Sequence, residues 1–150
     1  MENAILQLQS FVSIYTDKLQ RIPEEQWSHK PDPLKWSKKE IMGHLIDSAQ
    51  NNIRRFIVAQ YEENPKIVYD QDRWVAAAAY QDCVTQDLIE LWGLLNRHIC
   101  RVLRNIPEDV QERLAETNQS HAIKWLATDY NKHLLHHLHQ VLDLEPVAYP

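Results

Sequence analysis

The residues best suited to chemistry are four histidines near the carboxyl end of the chain. His133, His136, His137 and His139 are half of its eight histidines, and the apolar residues around them repeat with helical spacing. Residues four positions apart on an α-helix lie one turn apart and differ by only about 40° in azimuth. His133 and His137 can therefore bind one metal ion from the same helix face.

The azimuths around this helix divide the histidines into two pairs. With His133 at zero and about 100° per residue, the apolar face centres near about 110° and His137 lies at about 40°. His136 and His139 lie near about 300° and 240°, on the polar side. Helical geometry thus favours His133 and His137 as the inward pair. An alternative stays open, in which all four are ordinary exposed or half-buried histidines.

A zinc-like site usually needs a third protein ligand, and its fourth position stays open to water or substrate when the site is catalytic. His44 is the leading candidate because it lies on a helix with a clear start signal. Ser37 and Glu40 have the spacing of a capping box at that start. His44 lies more than about 90° from the centre of its helix's apolar face, which predicts a place on the wall of an open groove. A purely structural role is the alternative.

Helical periodicity extends through most of the chain, which contains only two glycines. Apolar residues recur every three or four positions in residues 5–22, 38–62, 84–102 and 120–142. Asp82 is the predicted cap of the third segment. Four such helices joined by short or medium connections predict an all-α fold, a four-helix bundle built from two antiparallel hairpins.

The connection over residues 64–79 is the longest irregular stretch between the predicted helices. Connections of this length in compact domains are often functional. We therefore expect Tyr69, Asp72 and Trp74 to line the mouth of the groove, an assignment based on the length and aromatic content of the segment.

Two acidic residues have the spacing to support the histidines. Asp47 follows His44 by three residues, and Asp129 precedes His133 by one helical turn. A metal-ligating histidine usually donates its second ring nitrogen to a neighbouring acceptor, so either carboxylate is a candidate for that role. The alternative is that both are solvated acids on helix surfaces.

Length and charge narrow the class of protein. At 150 residues the chain is expected to form a single domain, residues 1–150. Sixteen basic and twenty-one acidic residues give a net charge of -5 without a basic run, so no nucleic-acid partner is expected. No apolar segment approaches the roughly 20 residues that cross a bilayer, and no signal-peptide pattern opens the chain. These features predict a cytoplasmic protein without a membrane partner.

Two segments resemble the DinB-like superfamily of metal-binding four-helix bundles, particularly its YfiT-like branch. The first, WSKKEIMGHLIDS at residues 36–48, has a tryptophan and a capping signal before a helix with a His-Leu pair. The second, HLLHHLHQV at residues 133–141, has an HxxxH spacing followed by Gln-Val. The resemblance implies that His44, His133 and His137 are the ligands of a divalent metal ion, commonly zinc or nickel.

The resemblance also implies a chemistry. Several members of the superfamily are thiol S-transferases that act with bacillithiol, mycothiol or glutathione-like cofactors, and a related branch includes maleylpyruvate isomerase. A metal ion with an open position stabilises a thiol as the nucleophilic thiolate. We therefore expect a metal-dependent thiol S-transferase that uses a low-molecular-weight thiol and an electrophile. The resemblance also implies a homodimer. The alternatives are a metal-dependent hydrolase, a non-enzymatic metal- or ligand-binding protein, and a bundle with incidental histidines.

Overall fold

Four long helices form the frame of the molecule, and a computed structural model describes residues 1–149. In chain order the helices are α1 (Glu2–Gln20), α2 (Glu24–Trp27), α3 (Lys38–Val58), α4 (Gln71–Ala78), α5 (Thr85–Arg104) and α6 (Ile123–Val141). Two short strands, β1 (Leu114–Glu116) and β2 (Ser120–Ala122), form an antiparallel hairpin between α5 and α6. The predicted all-α four-helix bundle is confirmed, with α1, α3, α5 and α6 as its members.

The order of the helices around the bundle differs from the prediction. Helix α1 packs against α5 and α6, and α3 packs against the same two helices. Helices α1 and α3 therefore lie diagonally across the bundle, as do α5 and α6, whereas α3 and α5 are neighbours. The prediction of two hairpins, one from each of these diagonal pairs, is wrong. Apolar periodicity identifies the buried face of a helix, but it does not identify the helix that covers this face.

The bundle core consists of large apolar side chains from all four long helices. The side chains with 0% or 1% exposure include Leu8, Leu19, Met42, Leu45, Phe56, Trp92, Ile99, Leu103, Leu134 and Leu138. Burial of each such side chain contributes about 1.5–3 kcal/mol to folding. The helices are thus a rigid frame for the residues that they carry. Within residues 1–149 no helix combines a bilayer-spanning length with the necessary apolar character.

Helix α3 begins with the predicted capping box. The Ser37 side chain accepts a hydrogen bond from the Glu40 backbone N–H at 3.2 Å, and the Ser37 N–H donates to Glu40 Oε2 at 2.7 Å. Ser37 is fully buried, and a cap of this kind contributes about 1 kcal/mol. The capping box fixes where α3 starts and therefore sets the position of His44 in its second turn.

Three local predictions are wrong. Residues 71–78 form α4 instead of an irregular stretch, because Asp70 caps the helix through the Arg73 N–H and a run of alanines favours helix. The third long helix starts at Thr85 without a side-chain cap, while Asp82 lies in a preceding 3-10 turn. The hairpin replaces the predicted start of the last helix. Its three-residue strands are too short to show the alternation of apolar and polar residues that indicates a strand.

The hairpin also holds the segment that follows α3. The Ile67 N–H donates to the Glu116 carbonyl and the Glu116 N–H donates to the Pro65 carbonyl, both at 2.9 Å. A parallel bridge between Lys66 and Glu116 lies between these bonds. Residues 65–67 and β1 therefore form a small rigid wall beside the carboxyl half of α3.

Candidate metal centre

Three histidines from two helices meet inside the bundle. His44 on α3 and His133 on α6 have their Nε2 atoms 3.0 Å apart, and the ring centroids of His44, His133 and His137 are separated by 4.6 to 5.0 Å. One nitrogen from each ring lies within 4.8 Å of the other two. Ligand nitrogens of a tetrahedral zinc ion are about 3.3 Å apart, given bonds of about 2.0–2.1 Å. The donor set and its spacing fit a divalent metal ion after small side-chain adjustments.

His44 lines a cavity, as predicted, but it is more deeply buried than a residue on the wall of an open groove. It is 1% exposed. The polar side of α3 is turned inward at this level, because Asp47, Ser48 and Asn51 are buried as well. The Trp36 ring lies 5.1 Å from the His44 ring and covers it from outside. A polar face of α3 is thus buried here and forms a site. Hydrophobic periodicity alone predicts that such a face is exposed to solvent.

The three imidazoles are held in their neutral form. Burial, with a smaller effect from His137, lowers the pKa of His44 to about 3. Burial and the neighbouring histidines lower the pKa of His133 to about 2. Burial also lowers the pKa of His137, although its hydrogen bond with Gln140 acts in the opposite direction. Each ring therefore keeps a lone pair for a metal ion at neutral pH.

A chain of hydrogen bonds determines which ring nitrogen of His137 is unprotonated and can bind a metal ion. His137 Nδ1 donates to Gln140 Oε1 at 2.7 Å, and Gln140 Nε2 donates to His136 Nε2 at 2.9 Å. His136 Nδ1 in turn donates to the Val147 carbonyl at 2.6 Å. This assignment leaves His137 Nε2 unprotonated. Gln140 and His136 are therefore positioning residues, a role that the sequence analysis missed although Gln140 follows His137 at helical spacing.

The two predicted supporting carboxylates contact other partners. Asp47 accepts a hydrogen bond from the Tyr80 hydroxyl at 2.5 Å, and Asp129 accepts one from the Tyr149 hydroxyl at 2.9 Å. Within residues 1–149, His44 Nδ1 is buried without a hydrogen-bond partner. The second nitrogen of His133 lies 3.5 Å from Ser48 Oγ instead. Both predictions of a carboxylate–histidine contact are wrong.

Tyr80 and Gly43 bring the α4–α5 connection against α3 beside the histidines. A Cβ atom at Gly43 would overlap the Tyr80 ring, so the ring crosses α3 directly over this glycine. Burial raises the pKa of Asp47, and burial together with the Asp47 hydrogen bond raises the pKa of Tyr80. Both groups therefore remain protonated more readily than usual, and a stable O–H···O contact fixes the turn before α5.

Two cavities flank the histidines. The Arg55 cavity, of about 400 Å³, is lined by His44, His133, Arg55, Tyr69 and Asp129 among others. The Trp36 cavity, of about 440 Å³, is lined by Trp36, His137, Asp72, Lys35 and Gln140 among others. Small ligands can thus approach the three histidines from two sides.

Two of the three residues predicted at the mouth of the groove line these cavities, and Trp74 does not. Tyr69 lines the Arg55 cavity and Asp72 lines the Trp36 cavity. Trp74 packs edge-on against Tyr69, with 5.3 Å between ring centroids. Tyr69 is therefore fixed from behind by an aromatic neighbour.

The last described residues run back along α6 and reach the site. His139 Nδ1 donates to the Glu145 carbonyl at 2.7 Å, and the Tyr149 ring lies 5.2 Å from the His133 ring. The Tyr149 hydroxyl reaches Asp129 beyond it. The position of this segment is not predictable from the sequence, because its single tyrosine carries no periodic signal.

Comparison with known proteins identifies the family. The model of the DinB superfamily matches residues 13–141, and the chain belongs to that superfamily. YfiT from Bacillus subtilis, a probable metal-dependent hydrolase with an unusual four-helix bundle topology, has a similar structure. Its TM-score is 0.86 and its identity 18%, over 95% of this chain and 83% of YfiT.

A second solved structure has the same fold. The mycothiol-dependent maleylpyruvate isomerase matches with a TM-score of 0.73 and 15% identity, over 98% of this chain and 61% of the isomerase. No curated protein sequence matches the chain significantly. At these identities the structural matches establish a shared fold. The family predicted from the two sequence motifs is confirmed.

Proposed function

We propose that His44, His133 and His137 bind a divalent metal ion, zinc or nickel, and that the protein is a metal-dependent thiol S-transferase. The observation that carries this proposal is the meeting of three neutral imidazoles whose nitrogens lie within 4.8 Å of one another. Neutral imidazole is a good ligand for both metals. Three protein ligands leave coordination positions for a small molecule.

The surrounding residues define what each part of the site does. When bound, the metal ion supplies a Lewis-acidic position that favours the thiolate form of a low-molecular-weight thiol. Trp36 covers His44 and restricts the access of water from its side. The Arg55 cavity and the Trp36 cavity provide separate places for a thiol and an electrophile.

The comparisons support thiol chemistry and also a second candidate. The isomerase that shares this fold depends on mycothiol, a thiol, although this chain spans only 61% of its length. The similarity to YfiT, a probable metal-dependent hydrolase, favours hydrolysis as the second candidate at the same three histidines. Both candidates require the metal ion, so metal binding is tested first.

Metal analysis of the protein purified without chelator tests the metal centre. We expect near-stoichiometric zinc or nickel, and its loss in the variants His44→Ala, His133→Ala and His137→Ala. His98→Ala, which removes an exposed histidine on α5, is the matched control and retains the metal. If the purified protein contains no metal and takes up none on addition of zinc or nickel, the proposal is wrong.

Activity assays then separate the two chemistries. We expect metal-loaded protein to accelerate the consumption of a low-molecular-weight thiol in the presence of an electrophile such as a haloalkane. Metal-dependent hydrolysis of ester or amide substrates without any thiol consumption would favour the hydrolase. Metal binding without turnover in either assay would leave a non-enzymatic binding protein.

A further inference from the structure

Arg55 is a half-buried cation in the wall of the Arg55 cavity. Its Nε and Nη2 atoms donate to the Ile67 carbonyl at 3.1 and 2.9 Å, and Nη1 lies 3.4 Å from Asn52 Oδ1. A guanidinium group has five N–H donors, of which these contacts use at most three. Two donors therefore remain for a ligand.

The charge of Arg55 has no ion-pair partner in the described part of the chain. Between residues 1 and 149 no carboxylate lies within 4.0 Å of the guanidinium. Burial lowers the pKa of Arg55, while Tyr69, Tyr149 and Asp129 act in the opposite direction. The group nonetheless stays charged at neutral pH. A partly buried charge without a counterion is unfavourable unless a ligand supplies one.

The guanidinium is held in place before any ligand arrives. Ile67 is 3% exposed, and its N–H is fixed by the Glu116 carbonyl of β1. The Ile67 carbonyl therefore offers a rigid acceptor that orients Arg55 from one side. A pre-oriented donor group loses little conformational freedom when it binds a ligand.

The Arg55 cavity favours an anion. Asp129 is the one carboxylate among its lining residues, and this carboxylate already accepts the Tyr149 hydroxyl. Arg55 and a divalent ion at the histidines together outweigh that single negative charge. The Trp36 cavity is less suitable, because its cation, Lys35, is exposed and therefore screened by solvent.

We propose that the Arg55 cavity is an anion subsite, in which Arg55 holds the carboxylate of a small thiol whose sulfur faces His44 and His133. The inference rests on the proposed function for the metal-facing end of the ligand. A volume of about 400 Å³ accommodates a small organic molecule. His44 and His133 line the same cavity as Arg55, so one ligand in this cavity can contact all three. The substrate class is a carboxylate-bearing thiol.

Two thiols with the same number of carbon atoms, one ending in a carboxylate and the other in a neutral hydroxyl group, test the subsite. Zinc-loaded protein is titrated calorimetrically with 3-mercaptopropionate and with 3-mercapto-1-propanol. We expect the acid to bind at least about tenfold more tightly, since a charge-assisted hydrogen bond is lost with the alcohol. Arg55→Gln reduces this preference to less than about twofold.

Two further variants control the experiment. Arg54→Gln removes the same charge from the adjacent, exposed arginine and retains the preference of the wild type. Arg55→Lys keeps the charge without the planar fork, and we expect an intermediate preference. Equal binding of the two thiols by the wild type, or equal losses in Arg54→Gln and Arg55→Gln, would overturn the subsite.

A metal-independent measurement separates this inference from the proposed function. Propionate is titrated into zinc-free protein, and the Arg55 Nε–H resonance is followed by NMR with propanol as the control. We expect a saturable shift with propionate alone. If the protein binds no zinc, the proposed function fails and the propionate result still decides the subsite. If zinc binds and Arg55 does not respond to propionate, only the subsite is overturned.

Discussion

At the scale of single residues, the orientation of His137 depends on neighbours that do not face the candidate metal position. Gln140 lies between His137 and His136, and its amide can satisfy both rings only with its oxygen toward His137. Val147 completes the arrangement through its carbonyl. His136, which helical geometry places away from the inward face, thus has a structural reason to be present.

We expect Gln140→Ala to weaken zinc binding by about tenfold to a hundredfold, because His137 then loses the partner that fixes its ring. Competition with a chromophoric chelator measures the affinity. Gln140→Glu keeps an acceptor for His137 Nδ1 and should retain most of the affinity. Gln9→Ala, at an exposed position of α1, is the control. An unchanged affinity in Gln140→Ala would show that the ring is held by packing alone.

The three histidines that the structure brings together are the three predicted from the sequence, and their role as ligands stays a prediction. His133 and His137 were predictable because they border an apolar face of α6 that is buried as expected. The depth of His44 was not predictable, because α3 also buries polar residues on the side toward α6. No sequence pattern distinguishes Arg55 from the other polar residues of α3, because the residues that surround it come from β1 and from residues 65–67.

At the scale of elements, the contact between α3 and the α4–α5 connection depends on a residue without a side chain. Gly43 allows the Tyr80 ring to cross the helix, and the Tyr80 hydroxyl then reaches Asp47. The same helix carries His44 at the next position. The packing of this connection is therefore coupled to the position of the candidate metal centre.

Gly43→Ala should destabilise the protein by about 1–3 kcal/mol or more, because the new methyl group overlaps the Tyr80 ring. Chemical denaturation measures the free energy of unfolding. Gly93→Ala is the matched control, since its added Cβ meets only the Arg97 side chain at 3.5 Å. That control should be neutral or stabilising by up to about 1 kcal/mol. Similar losses in both variants would contradict the role of Tyr80.

Predictability differed between the elements for physical reasons. The start of α3 was correct because a capping box is a local signal that needs no tertiary partner. Helix α4 also has local signals, the Asp70 cap and the following alanines, but it is only eight residues long and has little apolar periodicity. The diagonal placement of α1 opposite α3, and of α5 opposite α6, depends on which apolar faces meet, and no single segment contains that information.

At the scale of the whole molecule, the buried histidines make the metal-free protein sensitive to acid. His44 and His133 have folded-state pKa values of about 3 and about 2, well below the ordinary value of 6.5. At pH values between the folded-state pKa and 6.5, each of these histidines is protonated in the unfolded chain and neutral in the folded protein. Stability is thus complete above about pH 6.5 and falls as the pH decreases toward 3, by at most about 1.4 kcal/mol per pH unit for each histidine.

Urea denaturation in the presence of a chelator, at several values between about pH 7.5 and 4.5, measures this loss. His133→Leu should have a flatter profile over the same range. Glu24 and Glu40 have pKa values below 4.5 and act at lower pH, whereas Asp47, with a raised pKa, acts with the opposite sign. Because these carboxyl groups are present in both proteins, the difference between the wild-type and His133→Leu profiles reports the contribution of His133. Identical profiles would contradict a neutral, buried His133.

A homodimer, which the family resemblance implies, stays a prediction at this scale. Light scattering after size-exclusion chromatography measures it directly. The metal-loaded and metal-free proteins should be compared, because a change in the bundle on metal removal would alter any surface that the helices form together.

The distance in sequence between the candidate ligands has a kinetic consequence. His44 and His133 are 89 residues apart, and they meet only when α3 and α6 are packed against each other. An ion bound between them would act as a reversible cross-link that closes a long loop of the chain. Its escape would then require the two helices to separate. In excess chelator, the rate of metal release would therefore report the rate at which the bundle opens.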